Sequence, residues 1–313
     1  MHRSSQTART RLDWLRLGIG AAVLAVLLAL TGYALLSYAL SRQVGSDVSA
    51  YWDAAERLRT GAPLYAAGPA NASDLYRYAP WFAAAWIPFT LLPRDAVTAG
   101  WVGLMFAAAL ISTVPLLRRG PTGWAAFAIF APSQFEGAIY GNVQPLLVLM
   151  LLWGVQRRAG PLWIALGASL KAVPVLLAIV YAGRGEWRRA ALTAGLTAVL
   201  VAPAFLFDLA GYSTASGPRQ ESLAGVSPFF FIPVAAAAIV ASWILARTRF
   251  AWLAGGLAMV LSLPRLLDYE ISFLLVGLSR RGPRDVDRAA HDVARLNGQG
   301  HLADPHVADP RST

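Results

Sequence analysis

The feature that most constrains this chain is a repeated alternation of long apolar runs with small clusters of arginine. The first run, Leu17–Leu40, is long enough to cross a hydrocarbon core of about 30 Å at about 1.5 Å of helix rise per residue. Ala96–Leu117 follows and stops at Arg118 and Arg119. Further apolar runs lie near 122–135, 141–156, 189–207, 227–246, 250–264 and 268–278. The pattern predicts an all-α, polytopic membrane protein. Composition agrees: 57% of residues are hydrophobic, only 14% are charged and the mean hydropathy is +0.50, outside the range of a soluble domain. Eleven tryptophans suit a chain whose rings anchor at headgroups.

The arginines orient the runs. Arg3, Arg9, Arg11 and Arg16 precede the first one, so residues 1–16 are expected in the cytoplasm and Leu17–Leu40 is expected to remain as an uncleaved span. Arg118/Arg119, Arg157/Arg158, Arg184/Arg188/Arg189, Arg247/Arg249 and Arg280/Arg281/Arg284 then fall on the inside, and most acidic residues of the body fall outside. On this path residues 41–95 form an outer loop, 17–278 is embedded in the membrane, and 279–313, rich in Arg and Asp, is a disordered cytoplasmic tail. Within the loop, Ala79–Pro93 is apolar but short and carries Pro88, which predicts an interfacial or re-entrant segment. The formal charge of +10 is read through this inside bias and not as a nucleic-acid signal.

Two absences narrow the chemistry. With no cysteine there is no disulfide and no thiolate nucleophile. The four histidines, His2, His291, His301 and His306, all lie in the terminal segments. A membrane-embedded histidine base or histidine metal cage is therefore excluded, and acid–base work in the body falls to Asp, Glu or Tyr. No metal and no cofactor is expected.

Residues 161–183 lie between two arginine clusters that both belong inside, so one span cannot join them. Two short helices broken at Lys171–Pro174 can, because proline lacks an amide donor and disfavours helix at the residue before it. Lys171 is the chain's one lysine. A lysine in mid-membrane costs about 2.5–3.5 kcal/mol on insertion scales. Broken helices are tolerated where they line protein or a watery cavity, so Lys171 either meets an anionic headgroup there or snorkels to lipid phosphate. If the first reading holds, its replacement by methionine is expected to weaken ligand binding and leave stability unchanged.

Other candidates gather on the expected outer face. In "GSDVSAYWDAAERLRTGAPLY" (45–65), Tyr51, Ala54, Ala55 and Leu58 share one face of an amphipathic helix and Asp53 lies on another. Asp47 just precedes it, as an N-cap, a catalytic group, or both. Tyr76, Arg77 and Tyr78 are headgroup anchors or a patch for sugar and phosphate. Asn142 and Gln144 sit at the mouth of a span, for capping and packing or for a polar ligand. Arg265, Asp268, Tyr269 and Glu270 crowd between two apolar runs, as a solvated loop or as the wall of an entering cavity, and Arg219 lies in a polar outer loop.

Taken in order, "YWDAAERLRTGAPLY", "YRYAP", "GNVQPLLVLMLL", "ALGASLKAVPVLLAIVYAGRGEWRRA" and "QESLAGV" resemble glycosyltransferase family 87 over roughly residues 40–280. The resemblance implies a GT-C-like bundle of roughly eight to ten membrane helices, some short or broken, in a bacterial plasma membrane. It implies a polyprenyl-phosphate-mannose-dependent mannosyltransferase, with Asp47 matching the family's catalytic aspartate. The donor would be a polyprenyl-phosphate sugar, and the acceptor a glycolipid or glycan on the outer side. Transfer with inversion needs a base on the acceptor hydroxyl and cations on the departing phosphate, here Lys171, Arg77 and Arg265. Tyr51, Asp53, Asn142, Gln144, Asp268 and Glu270 are candidates for sugar contacts. The rival reading is a non-enzymatic transporter, scramblase or degenerate binding protein for lipid-linked sugars, since broken helices with a mid-membrane charge also mark transporters.

Overall fold

The structure is a computed structural model; it describes residues 44–66, 75–212 and 222–278 continuously, with isolated positions between 20 and 36. Most of the expected span Leu17–Leu40 falls outside the described residues, as do Arg219 and the tail from 279. Every regular element among the described residues is helical. The α-helices are α1 (Ser46–Thr60), α2 (Pro80–Trp86), α3 (Arg94–Thr113), α4 (Pro121–Tyr140), α5 (Gln144–Gly154) and α6 (Gly160–Leu170). After them come α7 (Ala178–Gly183), α8 (Trp187–Val201), α9 (Leu223–Val226), α10 (Pro228–Ile244) and α11 (Ala251–Leu261). Short 3-10 stretches extend several of them, and another runs from Asp268 to Leu278.

Proline writes many of the starts. It stands in the first two positions of α2, α4, α5, α6 and α10, where a missing amide hydrogen costs nothing. Three helical segments are long and apolar enough to cross a membrane: Arg94–Arg119, Trp187–Leu206 and Pro228–Arg247. Gln144–Gly154, Gly160–Leu170, Val173–Gly183 and Ala251–Leu261 are shorter apolar helices. Leu206, Phe229 and Ile232 are more than two-thirds exposed, which in water would be costly and in lipid is the preferred state. The chain thus has the character of a membrane protein.

The 161–183 segment doubles back. α6 ends at Leu170, Lys171 adopts extended backbone, and a 3-10 stretch, Val173–Leu177, leads into α7. The far ends of the two arms meet: the Tyr181 hydroxyl donates to Val155 O, and the Arg189 guanidinium donates to Arg157 O at 2.6 Å. Arg184 donates to Ala246 O at 2.7 Å and Arg247 to Gly183 O at 3.2 Å. Three arginine clusters therefore share one end, where they bind helix C-terminal carbonyls, the partners that cations favour there. Lys171 sits at the opposite end, at the tip of the hairpin.

That opposite end is roofed by α1 and α2. α1 turns Val48, Tyr51, Ala54 and Ala55 inward, and Gly61, in the left-handed region at φ 75°, closes it by donating to Arg57 O and Leu58 O. The apolar face meets protein and not open lipid: Tyr51 lies 5.1 Å from Phe82, 5.3 Å from Trp86 and 6.1 Å from Trp101, between ring centroids. Such aromatic pairs contribute about 0.5–1.5 kcal/mol each beyond area burial, so this roof is a rigid layer.

Candidate active site

Two glycine turns build the site. Gly45 precedes α1 at φ 71° and Gly141 follows α4 at φ 70°, both in the left-handed region. Gly45 N donates to Ile139 O at 2.8 Å, which ties one turn to the other. A Cβ on Gly141 would stand 2.6 Å from Val48 Cγ2, so neither the backbone angle nor the space admits a side chain. Trp101 Nε1 pins the turn by donating to Gly141 O at 2.8 Å.

This contact brings Asp47 to Asn142. The Asn142 amide nitrogen donates to Asp47 Oδ2 and lies 3.5 Å from the Tyr269 hydroxyl. Asn142 Oδ1 accepts from Gln144 N at 2.9 Å, filling one of the orphan donors at the start of α5. Gly45 occupies the N-cap of α1, and the cap position makes no side-chain hydrogen bond. Asp47 sits in the first turn, where the helix dipole favours a negative charge, and among the described residues its hydrogen-bond partner is Asn142 alone. Burial raises the Asp47 carboxyl from 3.8 to about 6; the Asn142 hydrogen bond, Lys171 and Arg77 pull the other way and lose.

Lys171 has an ion partner. Its Nζ lies 3.2 Å from Glu270 Oε1 and 4.5 Å from the centre of the Tyr269 ring. Glu270 Oε2 accepts from Leu267 N at 2.9 Å. The strip carrying these residues is anchored by three side chains: Ser133 donates to Tyr269 O, Ser222 to Pro264 O, and Gln144 Nε2 to Ser272 Oγ at 3.2 Å.

A cavity of about 740 Å³ joins the parts. Asp47, Asn142 and Lys171 line it, as do the cations Arg77 and Arg265, the acids Asp268 and Glu270, and the rings of Tyr51 and Tyr78. Burial lowers the pKa of Arg77 from its ordinary value, and the Arg265 charge adds to that. Burial holds the hydroxyls of Tyr51 and Tyr78 well above their ordinary value, so both remain proton donors.

Three predicted residues point elsewhere. Asp53 is half-exposed and pairs with Arg94 at 3.3 Å. Tyr76 is buried in the roof and donates to Ala79 O at 2.7 Å. Gln144 is fully buried behind the cavity and acts on its wall through Ser272. Among the described residues, no group of three or more His, Asp or Glu side chains is placed to hold a metal ion.

An aromatic-lined cavity that sets a buried carboxylate among three cations, at one end of an apolar bundle, is chemistry a transferase can use. Residues 76–216 match the model of glycosyltransferase family 87. The match supports membership of that family. It likewise supports a glycosyltransferase. No curated protein and no solved structure matched the chain. The segment matched to family 87 contains Arg77, Asn142 and Lys171, while Asp47, Arg265 and Glu270 lie outside it and join the site through the fold.

Sequence reasoning passed over Glu136, Tyr140 and Tyr212 as site residues and gave Tyr269 no role of its own, and all four line the cavity. Glu136 carried a usable signal: a carboxylate inside an apolar run is expensive and marks a polar cavity. Tyr140 follows four residues later on the same face of α4. Tyr212 carried none, since its place depends on how a distant loop returns to the roof, where it meets Tyr65 at 5.1 Å between centroids.

Proposed function

We propose that this protein is a family 87 glycosyltransferase and moves a sugar, mannose by its resemblance to the family, from a polyprenyl-phosphate donor to a hydroxyl on the outer side of a bacterial plasma membrane. The observation that carries the reading is the convergence of Asp47 with Lys171, Arg77 and Arg265 around one cavity, at the end of the bundle away from the arginine clusters. Arginine clusters favour the cytoplasm, which leaves the cavity facing out.

The parts divide the work. Asp47 Oδ1 takes the proton of the acceptor hydroxyl, whose oxygen attacks the anomeric carbon. The bond from that carbon to the phosphate oxygen breaks, and polyprenyl phosphate departs with the electron pair, so the anomeric configuration inverts. A pKa near 6 leaves Asp47 mostly ionised at neutral pH and a stronger base than an exposed aspartate. Lys171 has three N–H donors and Glu270 takes one, so two remain to meet a phosphate oxygen as charge builds on it. The apolar hairpin below Lys171 gives the polyprenyl chain a surface in lipid. The tyrosine rings offer flat apolar faces and hydroxyl donors to a sugar.

Purified protein in proteoliposomes, given radiolabelled polyprenyl-phosphate-mannose and a membrane lipid extract as acceptor source, is expected to label a product. Complete absence of transfer, with donor retained or merely moved between leaflets, would replace the transferase by the transporter reading. Orientation is tested separately in this cysteine-free chain. An impermeant maleimide on intact cells should label a cysteine at Asp74 and spare one at Gly160; the reverse pattern would overturn the outward-facing cavity.

A further inference from the structure

We infer that Asn142 is the positioning residue of the reaction: it grips Asp47 by Oδ2 and so presents Oδ1 to the acceptor hydroxyl. The inference rests on Asp47 being the base. It extends that reading to a residue that sequence reasoning could offer only as a sugar contact or a structural cap.

Four observations support it. First, the amide is oriented by its own bonds. Asn142 Oδ1 accepts from Gln144 N at 2.9 Å, so the NH2 group must face Asp47 and Tyr269. Second, Asn142 is only 2% exposed, so water does not compete for the contact. Third, the turn that carries it is fixed on both sides, by Gly45 N donating to Ile139 O and by Trp101 donating to Gly141 O. Fourth, the partner is neutral. A cation in direct contact would steady the carboxylate and also strip it of proton affinity. An amide steadies it and leaves most of that affinity in place.

The surroundings agree. Asp47 faces Lys171 from the hairpin tip and Arg77 from the segment before α2, and both act at a distance to favour the ionised form. Tyr51 from its own helix, Tyr78 from the roof and Tyr269 from the 264–272 strip present hydroxyls. Glu136 and Tyr140 on α4, with Arg265, Asp268 and Glu270 on the strip, complete the charged and titratable groups of the shared cavity. Among them the Asn142 amide is the group that hydrogen-bonds Asp47.

The test does not need turnover. The full chain in nanodiscs is titrated by infrared spectroscopy, and the Asp47 carboxyl band is identified by its loss in Asp47→Asn. Its midpoint is expected near 6. Asn142→Ser keeps an oxygen for Gln144 N but is too short to hold Asp47, so the midpoint should rise by roughly half a unit or more. Asn142→Asp sets a second carboxylate against the first and should raise it further, by about a unit or more. An unmoved or lowered midpoint in either folded variant overturns the inference. A kinetic arm uses polyprenyl-phosphate-mannose with membrane lipid extract. On the alkaline plateau, where Asp47 is ionised in both proteins, Asn142→Ser should lower kcat about tenfold or more with the donor KM unchanged. A raised KM with unchanged kcat would make Asn142 a donor contact and overturn the positioning role. The titration also separates this inference from the reading beneath it. If the midpoints shift as expected while Asp47→Asn still transfers sugar, Asn142 governs Asp47 but Asp47 is not the base.

Discussion

The two sides of the cavity hold their buried carboxylates in opposite ways. On the α1 side, Asp47 has an amide for its direct partner and its cations stand back. On the hairpin side, Glu270 touches an ammonium at 3.2 Å and a backbone amide at 2.9 Å. A carboxylate paired with a cation is a joint: it fixes the Asp268–Leu278 stretch to the tip of the broken helix. A carboxylate held by an amide retains proton affinity and has one oxygen to spare. On the proposed function, the difference gives chemistry to Asp47 and architecture, with a share in phosphate binding, to Lys171 and Glu270.

The sharpest break between the sides is Asp47→Asn. Removing a general base costs about 10²–10⁴ in rate, and transfer from polyprenyl-phosphate-mannose should fall by that much. Stability should not fall with it. The folded pKa of Asp47 lies above the unfolded value of 3.8, so its ionisation opposes folding progressively as pH rises from about 4 to about 6 and stays unfavourable above that. Asparagine removes that term, so at neutral pH the variant should melt no lower than the unaltered protein. Retained turnover would move the base elsewhere, with Glu136 and Asp268 the next carboxylates on the cavity wall.

The same change of charge on the other side should act on stability. Lys171→Met leaves Glu270, whose side chain is 8% exposed, without its cation. Breaking a buried pair from one side costs about 3–5 kcal/mol. The sequence, with no partner in view, predicted a stability-neutral methionine; the structure supplies the partner and reverses that expectation. The double variant Lys171→Met/Glu270→Leu should recover most of the loss. Equal melting temperatures for the single and double variants would show that the pair does not act as a joint.

pH tests the contrast without mutation. The acid limb of kcat/KM should have its midpoint near 6, because below it Asp47 is protonated and cannot accept the acceptor's proton. At pH 5 the rate should be about one tenth of the plateau, a tenfold loss per unit. A limb near 4, the range of an exposed aspartate, would mean that the site is wetter than its burial indicates.

Much of this was legible in the sequence, and the illegible part has a physical pattern. Helix class, the short 79–93 segment and the break at Lys171 follow from apolar length and proline, which act locally. The cavity depends on contacts such as Asp47 to Asn142, 95 residues apart, and Lys171 to Glu270, 99 apart. No local rule reports those pairings. Gly45 and Gly141 look like ordinary turn residues until their turns are seen to touch.

The smallest predicted effect separates two acids on one helix. Asp47 and Asp53 are six residues apart on α1, and at about 100° per residue their directions differ by about 120°. The sequence reading offered both as candidates for one site. The structure sets Asp53 outside, paired with Arg94 across 3.3 Å and with both side chains nearly half exposed. Exposed pairs of this kind contribute about 0–1 kcal/mol. Asp53→Ala should lower the melting temperature slightly or not at all and leave kcat and the pH limb unchanged. The two aspartates share a helix, a type of side chain and one end of the bundle. A large loss of transfer in Asp53→Ala would mean that the reaction depends on the charge of this end as a whole; no loss would confine the chemistry to the carboxylate that Asn142 holds.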